Sequence, residues 1–191
     1  MLSGQGVCSF SPLLKTTTHR VKVASPCKSF SGKGKKEMFV FTNPHPQGKR
    51  VGDCVKRALC LASEINYHDI AIMLNRYKEI THSESYNSNK NYKQFIENVL
   101  LGKNCGNLQY AYNGHRYLVK KWAYYCRSKS ILRIAKHLVA TNGKGDYLDT
   151  WNCGEKSVYL AWTLPSYEEI VKHIQSFYPK LCKGLRLDKI N

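Results

Sequence analysis

Acids are scarce in this chain. Its 191 residues carry 13 Asp and Glu against 30 Lys and Arg, a net charge of +17. That imbalance favours solubility and attraction to polyanions, and it identifies no fold. Long apolar runs are missing too. No stretch approaches the ~20 apolar residues that cross a bilayer, so a membrane partner is not expected. The opening, "MLSGQGVCSFSPLLK", has neither the basic nor the apolar region of a secretory leader. The cysteines include no C-x-x-C pair and no Cys/His ladder with zinc-finger spacing. Neither a metal nor another cofactor is therefore expected. Without a leader, reduced thiols in a cytoplasm are the expectation, in place of disulfides.

Apolar residues make up 42% of the chain, which suffices for one domain with a real core. Residues 1–37 differ from the rest. They hold seven Lys/Arg, many Ser/Thr and one acid, Glu37. Such a composition reads as a basic flexible tail or extension, although an organelle transit peptide would look similar. The folded domain is expected to span 38–191, opening with the strand "MFVFT".

"NPHPQG" (43–48) is turn-rich. Asp53 is a suitable N-cap for a helix running to about Ser63, with Val55, Ala58, Leu59 and Ala62 on one face. Asn66 caps a second helix over 67–79. "KQFIENVLLG" and "RYLVKKWAYYC" read as further helices. Then the period changes. "SILRIAKHLVA", the turn "NGKG" and "DYLDTW" read as strand, turn, strand. "KSVYLAWTL" is a third strand, and Ser166 caps an amphipathic helix after Pro165. Helices first and strands later give an α+β fold, with N-terminal helices packed on a C-terminal antiparallel sheet.

Cys54 falls at the start of the first helix. Unpaired backbone N–H groups and the helix dipole favour negative charge there, so more of the thiol is thiolate, the nucleophilic form. A nucleophile needs a base, and the base needs an orienting group. His137 lies in an apolar strand, and Asp149 lies in the next one. If the hairpin loop is odd and centres on Gly143, the two directly oppose each other, Cβ atoms ~5 Å apart. An even loop would break that pair and make Asn152 the better orienter.

"GDCVKRA" and "HLVA…DTWNC" also resemble known proteins. Cysteine at a helix start, then histidine and an acid on successive strands, is the order of papain-like cysteine peptidases. The broad layout is similar to the NlpC/P60 hydrolases. More narrowly, residues 38–163 resemble small, mostly uncharacterised cysteine-hydrolase-like proteins of phages and their bacterial hosts. The resemblance implies a papain-like fold, with Cys54 as nucleophile, His137 as base and Asp149 as orienter. It also implies a side-chain amide before the cysteine to stabilise an oxyanion, with Gln47 and Asn43 as candidates. The expected function is a cysteine hydrolase acting on a peptide or other amide, in the host cytoplasm if phage-encoded. The alternative is a silent papain-like fold that uses its charge to bind nucleic acid or a host protein.

Overall fold

The computed structural model describes residues 38–50, 52–106 and 114–190. The basic segment 1–37 lies outside them. Among the described residues, six strands form one sheet in the order β1-β5-β4-β3-β6-β2. The strands are β1 (Met38–Phe41), β2 (Lys103–Asn104), β3 (Lys129–Ile134), β4 (His137–Asn142), β5 (Asp146–Asp149) and β6 (Leu160–Thr163). The class is α+β, but the sheet is mixed and not purely antiparallel, because β1 runs parallel to β5. A parallel partner needs a long crossover. Here the crossover is everything between the two strands, so the first and fifth strands in the chain become neighbours.

The helices are α1 (Cys54–Ser63), α2 (Tyr67–Ile80), α3 (Asn89–Gln94), α4 (Val119–Tyr125), α5 (Tyr167–Phe177) and α6 (Pro179–Cys182). A π-helical segment, Phe95–Val99, continues α3. Both faces of the sheet are covered. Ile131, Leu138, Ala140 and Trp162 pack with α1, α2, α5 and the π segment. Their strand neighbours Leu132, Val139 and Ala161 pack on the other face with Val119, Trp122 and Ala123 of α4. Alternate side chains of a strand point to opposite faces, so a strand buried on both reads as an unbroken apolar run. That is the pattern of β3 and β4.

The stretch "SILRIAKHLVA" is two strands, not one. Ala135 and Lys136 form a two-residue turn between Ile134 and His137, which pair across it. Lys136 has φ 56. The left-handed conformation usually calls for Gly, Asn or Asp in such a turn, and a lysine hides it. The next connection behaves as a recognisable turn. Asn142 Oδ1 accepts from the N–H groups of Lys144 and Asp146 (2.8 and 3.2 Å). Gly143 has φ 71, and a Cβ there would stand 2.7 Å from the Arg127 carbonyl oxygen. The loop is Gly143–Lys144–Gly145, an odd number of residues.

The register centres one residue later than expected. Ala140 pairs with Leu148 and Thr141 with Tyr147. Continued along the strands, this sets Val139 opposite Asp149, so His137 and Asp149 are diagonal neighbours on one face. The odd loop keeps their parity, and the diagonal is within reach of long side chains. Among the described residues, no helix is long and apolar enough to cross a membrane.

Candidate functional site

Cys54 is the first residue of α1, and the N-cap position belongs to Asp53. Asp53 does not cap the helix with its side chain. Its carboxylate instead takes Arg57 Nη1 one turn along and the Tyr67 hydroxyl at 2.9 Å. Both Asp53 and Arg57 are buried. A buried charge needs a partner more than the helix needs a cap. The consequence is local: the first N–H groups of α1 are left without a carboxylate beside Cys54.

The structure brings Cys54, His137 and Asp149 together. His137 Nε2 lies 2.6 Å from Asp149 Oδ2. The Cys54 thiol borders the same cleft as this imidazole and interacts with it electrostatically. Nε2 faces the carboxylate, so Nδ1 is the ring nitrogen left for another partner. His137 stands at the end of β4, where α1 begins, so one ring meets both partners. Its side chain is 14% exposed and that of Asp149 4%.

Asp149 is held on every side. Oδ2 also accepts from the Cys153 thiol (3.5 Å), and Oδ1 accepts from the Thr150 N–H (2.7 Å). Trp151 lies against the imidazole, ring centroids 5.5 Å apart. It covers the His–Asp pair from the solvent side while remaining 41% exposed itself.

The electrostatics follow from these contacts. Burial alone would lower the basicity of His137, but the hydrogen bonds to Asp149 and then Cys54 outweigh it and raise its pKa to about 9. Burial likewise opposes ionisation of Cys54. The hydrogen bonds to His137 and the Leu138 backbone, with the charges of His137 and Arg57, overcome it and lower the thiol pKa. Other thiols move the opposite way. Burial pushes Cys60 up to about 12, and burial also raises Cys105 and Cys153. All six described cysteines are free.

Cys54 and His137 open into a cleft of about 530 Å³ whose walls include Tyr92, Arg133, Lys136 and Trp151. The other sequence candidates are elsewhere. Asn43 donates its amide to the carbonyls of Gly48 and Lys49 (3.0 and 3.2 Å) and lines a separate depression with Tyr67. Gln47 is exposed, its backbone N–H donating to His45 Nδ1. Neither reaches the cleft, because Asn43 closes the "NPHPQG" loop upon itself. Asn152 Oδ1 accepts from the Tyr147 hydroxyl (2.6 Å) and the Gly154 N–H, away from His137.

Sequence reasoning missed the cleft's far wall. Tyr92, on α3, donates to Asn89 Oδ1 (2.6 Å), and both residues line the cleft. Arg133 was hidden inside an apparent single strand. The one charge interrupting "SILRI" was the available signal. Among the described residues, no group of three His, Cys, Asp or Glu could hold a metal ion. No family model, curated protein or solved structure matches the chain.

Proposed function

We propose that the protein is a papain-like cysteine hydrolase that cleaves a peptide, isopeptide or other amide bond. One observation carries the reading: Cys54 at the start of α1 shares an open cleft with the hydrogen-bonded pair His137–Asp149. Cys54 is acidified and His137 made more basic, which favours the thiolate–imidazolium pair.

The Cys54 thiolate attacks the substrate carbonyl carbon, and the carbonyl electron pair moves onto oxygen. The uncapped N–H groups at the start of α1, that of Cys54 first, stabilise this oxyanion. As the C–N bond breaks, His137 gives its Nδ1 proton to the departing amine and leaves a thioester on Cys54. His137 then takes a proton from water, whose oxygen attacks the thioester and releases the acid and the thiolate. Asp149 fixes the ring through Nε2 and stabilises the imidazolium.

The test uses p-nitrophenyl acetate as a minimal acyl donor. Cys54 should take up the acetyl group with release of p-nitrophenolate, and peptide mapping should find the label there. Cys54→Ser should abolish that label, and His137→Ala should slow acylation by about 10²–10⁴-fold. Acylation of a different thiol, or a rate indifferent to His137→Ala, would overturn the reading.

A further inference from the structure

Among the described residues, the walls of the Cys54 cleft carry four cations, Arg50, Arg57, Arg133 and Lys136, and no acid. Arg57 is neutralised by Asp53. The other three have no acidic partner among the described residues. Arg50 lies over the Phe41 ring, 5.0 Å from its centroid, which leaves its charge unanswered. Lys136 projects from the tight turn just before His137.

Arg133 is the informative one. It is half-buried on β3, paired with Leu138, the residue after His137. Alternation along β3 puts it on the face of Ile131, which packs toward α1. Tyr92 feels the charge of both the Arg133 guanidinium and the Cys54 sulfur, so the cation and the nucleophile border the same part of the cleft. A half-buried guanidinium loses hydration, and such groups are normally compensated by a carboxylate or phosphate. Among the described residues no such group faces Arg133, although Asp53 supplies one to Arg57.

We propose that Arg133, with Lys136 and Arg50 around it, forms a carboxylate-recognition subsite beside Cys54, so that the substrate carries a negative charge next to the bond cleaved. This rests on the cysteine-hydrolase reading of the same cleft. The planar guanidinium suits bidentate recognition of a carboxylate, and the two outer cations attract the substrate into the cleft. The carboxylate belongs either to an acidic side chain or to a chain terminus.

The full-length protein is alkylated at Cys54 in parallel with iodoacetate and with neutral iodoacetamide, and mass spectrometry reads the rate at that residue. In both reactions the thiolate sulfur displaces iodide, so the ratio of rates isolates the effect of reagent charge. Arg133→Gln should lower the iodoacetate-to-iodoacetamide ratio about three- to tenfold. Arg133→Lys should restore most of it, and Lys136→Gln should lower it less. Lys172→Gln, which removes the same charge from an exposed position on α5, should leave the ratio in place. A ratio unmoved by Arg133→Gln, or moved equally by Lys172→Gln, would overturn the subsite.

Protection of Cys54 from iodoacetamide separates the sources. Protection by acetyl-Ala-Glu-Ala-amide assigns an acidic side chain, and protection by acetyl-Ala-Gln-Ala with a free carboxyl end assigns a terminus. Equal effects from both and from acetyl-Ala-Gln-Ala-amide would contradict charge recognition. If iodoacetamide labels Cys54 no faster than it does in His137→Ala, the hydrolase reading itself fails, and the subsite falls with it.

Discussion

Asp149 decides what His137 can do. Burial alone would make the ring less basic, and the carboxylate is the first of the contacts that reverse this. Asp149→Ala should therefore return the imidazole toward or below its ordinary 6.5, from about 9. The sign follows from linkage: a raised histidine pKa stabilises the folded state fully below 6.5, and that gain is lost as pH rises through about 9. The imidazolium that the proposed mechanism requires for a leaving amine is lost over the same range. In the pH profile of Cys54 acylation by a peptide p-nitroanilide, whose leaving amine must be protonated, the alkaline limb should fall near 9 in the wild type and lower in Asp149→Ala. Each unit of displacement costs about tenfold in rate at pH values above the limb. Profiles that superimpose would show that Asp149 does not tune the ring. Cys54, His137 and Asp149 were legible because residue type and strand parity are local properties. The fate of Asp53 was not. Capping preference is visible in sequence, whereas the buried demands of Arg57 and Tyr67 on that carboxylate arise only on packing.

At the scale of elements, the sequence reading located β1, α1, α2, α4, β6 and α5 to within a few residues. Helical periodicity and Ser166's capping box mark such elements strongly. It missed the Ala135–Lys136 turn because a lysine occupies the left-handed position, and it missed β2 because two residues carry no period. The helix read over "KQFIENVLLG" is present, but its π character over Phe95–Val99 was invisible, and its end is unusually tight. The Gly102 N–H donates to the Ile96 carbonyl at 2.7 Å. A Cβ on Gly102 would stand 2.4 Å from Ile96 Cγ2 and 2.9 Å from that carbonyl oxygen. Ile96 is fully buried, so it has no room to give. Gly102→Ala should cost about 1–3 kcal/mol by overpacking, read as a lower urea midpoint with the slope unchanged. An unaltered midpoint would mean that the segment relaxes freely. The same helical unit carries Asn89 and Tyr92 into the cleft, so its packing also sets one wall of the site.

For the whole molecule, the sheet joins distant parts of the chain. α1 carries Cys54, and the β4–β5 hairpin carries His137 and Asp149. The two pack face to face through Val55, Leu59, Leu138 and Ala140. The fold class was legible from the order of helical and alternating segments. The mixed sheet was not, because the parallel pairing of β1 with β5 is a long-range choice without local signature. The thiolate–imidazolium pair exists only if this docking is correct, so its ionisation reports on fold and function together. The decisive measurement is the ultraviolet thiolate absorbance of the folded protein against pH, with Cys54→Ser subtracted, in wild type and in His137→Ala. The wild-type difference should show Cys54 ionised below the ordinary thiol value of 9.0. In His137→Ala, burial is left largely unopposed, and the same transition should move up to 9.0 or beyond. Coincident transitions in the two proteins, at or above 9.0, would contradict the account.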